Sequence, residues 1–141
     1  MSIRESIATH LVDTLASMTT PVMLKKITRE PFDYEQLSNA QFPAAWLQSA
    51  AESRGDVTLA GIREGTINYQ IIGFVKSPNI DSARNELIES IEKALSVDST
   101  RGGYAIDTQV VSVDTDQGTT SPIGGITMTA QVRYQYMKGE S

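Results

Sequence analysis

Ile3, Ile7, Leu11, Leu15 and Met18 recur at helical spacing and draw one apolar stripe on a helix at the start of the chain. Ser2-Ile3-Arg4-Glu5 has the spacing of a capping box, so the helix should open near Ser2. It should close at Thr19-Thr20-Pro21, because the proline ring disfavours helical geometry in the residue before it. Val22 to Arg29 reads as a strand. Glu30 to Pro43 has no sustained period and reads as a loop, with Phe32, Tyr34 and Phe42 pinning it to something. Ala44 to Glu52 reads as a second strand with Trp46 near its start, Pro43 favouring strand over short helix. Arg54-Gly55-Asp56 reads as a turn; the tripeptide matches an integrin motif, but three residues recur too often by chance to carry that meaning.

The next strand spans Thr66 to Lys76. Ile67, Tyr69, Ile71 and Val75 take one face, and Asn68, Gln70, Ile72, Phe74 and Lys76 the other, so both faces should be partly covered. An earlier start would let Val57 to Arg63 pair in a hairpin around Glu64-Gly65. Ser77-Pro78-Asn79-Ile80-Asp81 opens a second helix. Ala83, Leu87, Ile88, Ile91, Ala94 and Leu95 form its buried stripe, and Glu86, Glu89, Glu92 and Lys93 its solvated face. After a turn at Arg101-Gly102-Gly103, Tyr104 to Asp114 reads as a strand and Thr115 to Gly125 as a loop. The glycine pairs Gly102-Gly103 and Gly124-Gly125 are expected to supply turn geometry. The last strand, Ile126 to Met137, alternates most cleanly: Ile126, Met128, Ala130, Val132, Tyr134 and Tyr136 face one way. Two helices among strands that follow one another through turns predict an α+β fold, an antiparallel β-sheet with both helices on one face, in a two-layer sandwich.

The 141 residues suit one domain, 1–141, able to close a core of its own. A hydrophobic fraction of 40% is slightly low and fits a domain that buries further surface on assembly. The net charge of -5 and a single adjacent basic pair, Lys25-Lys26, disfavour a nucleic-acid grip, which needs clustered cations. With no cysteine, disulfides, thiolate metal sites and cysteine nucleophiles are excluded. No apolar run is long enough to span a membrane, and Arg4, Glu5, His10 and Asp13 interrupt any signal-peptide core.

Catalytic chemistry is sparse. The lone His10 flanks the apolar stripe and reads as a surface histidine rather than a catalytic one. Asp114-Thr115-Asp116 before Gly118 resembles half of a calcium loop, but the downstream bidentate glutamate is missing. Asp114 and Asp116 are therefore only weak metal candidates, beside the plainer reading of a polar strand end with an Asx turn. No cofactor is expected, and the chain does not read as an enzyme.

Several of these features together resemble the tail terminator family of tailed phages, also called minor tail or tail-completion proteins. They are the opening helix at Ile3-Arg4-Glu5, the phrase Phe42-Pro43-Ala44-Ala45, and the strand Tyr69 to Val75 leading into Asn85, Leu87, Ile88 and Ile91-Glu92-Lys93-Ala94-Leu95. Then come Gly102-Gly103, Val113-Asp114-Thr115-Asp116, Pro122, Gly124-Gly125 and Val132-Arg133-Tyr134. The resemblance covers nearly the whole chain in order, as a profile without a single specific motif. It implies a virion structural protein of the tail or neck, assembled in the host cytoplasm. Its copies would form a hexameric ring that caps the tail tube, stops its polymerisation and meets the head connector. The implied partners are further copies of the chain, the tube protein, the head-tail connector and, where the tail is contractile, the sheath; DNA would pass through unbound. Loop and strand positions nominate Phe32, Tyr34, Phe42, Asp116, Thr120, Ile123, Arg133, Tyr134 and Tyr136 for the interfaces, with the C-terminal strand as the edge for strand addition. Two alternatives remain open: an adaptor subunit of the same neck, and a small cytosolic ligand-binding or enzymatic α+β domain.

Overall fold

The computed structural model describes residues 2–56, 61–115 and 123–137. Helix α1 spans Ile3–Ala16, and the hydroxyl of Ser2 accepts the Glu5 backbone N–H at 3.1 Å. The Glu5 carboxylate, expected to close the capping box, instead takes Arg29. Ile7, Leu11, Leu15 and Met18 are buried, as the stripe predicts, and Ala8 joins them.

Five strands follow: β1 (Lys26–Thr28), β2 (Ala44–Asp56), β3 (Ile62–Lys76), then after helix α2 (Ile80–Val97) the strands β4 (Asp107–Thr115) and β5 (Ile123–Met137). They form one sheet in the order β1-β2-β3-β5-β4. All neighbours are antiparallel except β1, which runs parallel to β2. The α+β sandwich is thus observed, with a mixed rather than purely antiparallel sheet. Both helices cover one face, where Ile67, Tyr69, Ile71 and Val75 of β3 and Met128, Ala130, Val132 and Tyr134 of β5 meet Leu11, Leu15, Leu87 and Ile91.

Several of the sequence expectations need correction. Of the strand expected over Val22 to Arg29 only the last part forms: Val22 donates its N–H to the buried Ser90 hydroxyl at 2.8 Å, and Lys25 donates to the Pro43 carbonyl. The first bond holds Val22 against α2, and the second brings the chain to the start of β2, where β1 begins. The Arg54-Gly55-Asp56 turn is the end of β2, paired in register with Gly65, Glu64 and Arg63. The hairpin around Glu64-Gly65 is likewise absent: both residues sit inside β3, and the β2–β3 connection falls at 57–61, of which 57–60 lie outside the described residues.

Gly65 has a packing reason instead of a turning one. A Cβ there would stand 2.7 Å from the Tyr134 ring. Gly124-Gly125, expected to turn the chain, lies in β5. A Cβ on Gly124 would stand 2.3 Å from Ile80, so this glycine lets the first turn of α2 sit directly on the strand. Only Arg101-Gly102-Gly103 forms the predicted turn, with φ of 52°, 70° and 94°. Most of the loop expected over Thr115 to Gly125 lies outside the described residues.

Arg101 is among the largest fully buried side chains of the described residues. Its guanidinium donates to the carbonyls of Leu95 at 2.7 Å and of Asp98, closing the C-terminal end of α2 where carbonyls lack helical partners. Burial pushes its pKa down, and nearby Asp98 opposes that. A lone arginine beside two glycines carries no sequence signal of burial.

Candidate functional site

Opposite the helices, the sheet presents a face graded from aromatic to amide to charged. At the end near β1, the ring of Phe32 meets Trp46 edge-on at 5.0 Å, and Tyr34 stacks on Phe74 at 4.4 Å. Two short 3-10 turns, Tyr34–Gln36 and Asn39–Gln41, shape the loop that carries these rings. The Asp33 carboxylate accepts the Glu35 N–H, and the Gln41 amide oxygen accepts the Ser38 N–H. Lys26 lies 5.4 Å over the Phe32 ring, a cation–π pair. The aromatic loop is therefore pinned to the sheet, as expected, but on the face away from the helices.

Farther along, Gln48 donates to Gln70 at 3.2 Å, and Gln131 to Asn68 at 3.5 Å. Beyond them Arg133 pairs with Glu64 at 3.1 Å. The strand period of two puts every one of these side chains on the same surface.

Under the start of α1, Glu52 is only 9% exposed and gathers Arg4 at 3.0 Å, Arg54, and the Tyr134 hydroxyl at 3.0 Å. Burial, then the Glu52 hydrogen bond, pushes the Tyr134 phenol up to about 12. The same carboxylate raises the Arg54 pKa, and that guanidinium also lies 4.8 Å from the Tyr136 ring. This knot ties β2, β5 and the first turn of α1 together. Sequence patterning does not reveal it, because its members are scattered along the chain.

A groove of about 600 Å³ runs between α1 and α2, lined by Asp13, Thr14, Met18, Lys93, Ala94 and Val97 among others. His10 sits there, its Nε2 3.7 Å from Asp98. Asp98 accepts from the Thr100 hydroxyl and from the N–H groups of Gly102 and Thr100, which with His10 pull its pKa down to about 2. Thr14, Ser17, Ser90 and Asp98 in the groove are thus bonded to the protein itself. Among the described residues no group of three metal-ligating side chains occurs. Asp114 is exposed on β4, and Asp116 lies outside the described residues.

The nominated interface residues separate into three groups. Phe32 and Tyr34 belong to the aromatic patch, Arg133 to the open face, and Ile123 to the first position of β5. Asp116 and Thr120 lie outside the described residues. Phe42, Tyr134 and Tyr136 are buried within the chain itself. The C-terminal strand is not the edge expected of it: β5 lies between β3 and β4. Among the described residues the longer unpaired edges belong to β4, where Val111 and Val113 are exposed, and to β2 beyond Trp46, the last residue that β1 pairs. Strong alternation marks β5 because it is central, with one face fully covered.

No family model matches the chain, and no curated protein gives a significant match. Among solved structures, it is similar to a chain in the virion of a native gene transfer agent particle. That similarity covers 96% of this chain and 92% of the other, with a TM-score of 0.41 and 5% identity. So low an identity transfers no residue role from one chain to the other.

Among the described residues no helix is long and apolar enough to cross a membrane.

Proposed function

We propose that this protein is a virion structural subunit, a tail terminator whose copies close into a hexameric ring on the last layer of the tail tube. The ring halts tube growth and presents its far side to the head connector. The role is structural rather than catalytic. The observation that carries the reading is the sequence profile, whose phrases fall on successive elements. Phe42-Pro43-Ala44-Ala45 leads into β2, Tyr69 to Val75 lies on β3 and runs on into α2, and Val132-Arg133-Tyr134 lies in β5. The sheet also keeps edges unpaired among the described residues, and such edges offer heterologous contacts of the kind a ring requires.

The test is electron microscopy of tails assembled without the protein. Tubes of uncontrolled length are the expected result. Tails of normal length that lack heads would replace the terminator reading with that of an adaptor.

A further inference from the structure

Beside the short outer strand β1, the sheet leaves two longer stretches of edge of unlike character unpaired among the described residues. One is β4, Asp107–Thr115, with no strand beyond it among the described residues. Val111 bulges out of its register with β5 and is 49% exposed, and Ile106 and Val113 are exposed beside it. The other edge is the far part of β2, from Leu47 onward, which β1 no longer covers. Here Ser49, Ala50, Ala51, Ser53 and Gly55 are exposed, and the register with β3 shifts between Ser49 and Glu52. Edges with unpaired N–H and C=O groups invite a further strand, and proteins that stay monomeric block them with lysine, other charges, proline or a bulge. Each segment here carries one bulge and acidic residues, with Arg54 on β2 as well. Neither segment contains lysine or proline.

We propose that these two edges meet between adjacent copies of the chain, so that β4 of one copy continues its sheet onto the outer half of β2 of the next. Three observations select this occupant. The lengths agree: β4 has 9 residues, and β2, with 13, extends well past the three that β1 pairs. The directions agree: β2, β3, β5 and β4 alternate, so β4 runs opposite to β2 within one chain. A rotation about an axis along the strands leaves those directions unchanged, and the new pairing is antiparallel like its neighbours. The side chains that would flank the new pairing fit without crowding: exposed Val111 and Val113 on β4 would lie beside Ser49, Ala50 and Ala51 on β2, with Glu52 and Arg54 farther along. Unlike edges give a heterologous contact, which propagates from copy to copy and closes when the rotation allows. The inference rests on the ring reading and supplies its subunit contact.

The test uses two variants, Val111→Lys and Ala51→Lys, each at an exposed side chain, with the thermal midpoint checking that both fold. Solution mass is read for wild type, for each variant and for their equimolar mixture. Wild type should give a closed oligomer and each variant alone a monomer. The mixture should stop at dimers, because each variant retains one sound edge and only one sound pairing is available. Variants that assemble like wild type would overturn the edge contact while leaving the ring intact. A mixture that stays monomeric would overturn the pairing of unlike edges, and loss of assembly in Val111→Lys alone would indicate β4 against β4. An open wild-type polymer that both variants dissolve would keep the edge contact and remove the ring. A wild type that is monomeric at every concentration would remove both.

Discussion

Ile71 and Ile72 are neighbours on β3, identical in composition and opposite in surroundings. Ile71 is fully buried between the sheet and the two helices. Ile72 points to the other face, opposite Trp46 on one side and Thr127 on the other, and remains half-buried. The same contrast runs the length of the sheet. The helix face is a close-packed core, in which volume changes are felt. The open face is half-wet, and its aromatic, amide and ion-pair contacts each stay near water. The stability of the chain is therefore concentrated on one side of the sheet.

The largest expected effect tests this directly. Ile71→Ala should lower the unfolding free energy by ~2–5 kcal/mol, since it leaves a cavity in a packed core. Ile72→Ala should cost about 1 kcal/mol, because only part of that side chain leaves water on folding. Denaturant unfolding with an unchanged slope measures both. Equal losses would mean that the open face is covered as thoroughly as the other.

Glycines offer a second contrast. Gly124→Ala should destabilise by ~1–3 kcal/mol, as its Cβ enters the space of Ile80. At Gly55, on the free edge, an added Cβ would meet nothing within 4 Å. Gly55→Ala should raise stability by ~0.4–1 kcal/mol through the unfolded chain. A tolerated alanine at 124 would show that α2 can lift from β5.

The acid limb of stability should report on the helix side. Asp98 titrates at about 2 in the fold against an ordinary 3.8. Its folded pKa is lowered, so the unfolded chain binds the proton more readily. The contribution is present above about pH 4 and is lost as pH falls toward 2. Asp98→Asn should flatten that part of a pH–stability curve; an unchanged curve would mean that other carboxylates, such as Glu5 held by Arg29, dominate the acid limb. Smallest of all should be Gln70→Thr, within about 0.5 kcal/mol of wild type by thermal unfolding, because the open-face amide has water as an alternative partner. A larger loss would make the amide pairs structural.

The elements legible in advance are those whose period reports a fully covered face. The stripe Ile7-Leu11-Leu15, the alternation of β5 and the split of β3 at Ile71 and Ile72 all follow from burial on one side only. The weak or misleading stretches obey a different partner. Residues 22–25 are held by Ser90 and Pro43, Gly65 makes room for Tyr134, and Gly124 makes room for Ile80. Of the nominated surface, Phe32 and Tyr34 do form a pinned aromatic loop, whereas Tyr134 and Tyr136 are core rather than edge residues. A tyrosine on an alternating strand looks the same whether its face meets solvent, a neighbour or a helix.

The sequence by itself determined the number and kind of major elements, because hydrophobic period is a local property of the chain. Which strands are central and which are edges was decided only by tertiary structure. Strand order depends on contacts between residues far apart in sequence, such as Glu52 with Tyr134, and β4 and β5 become an edge and a centre only once β3 has taken its place beside β5.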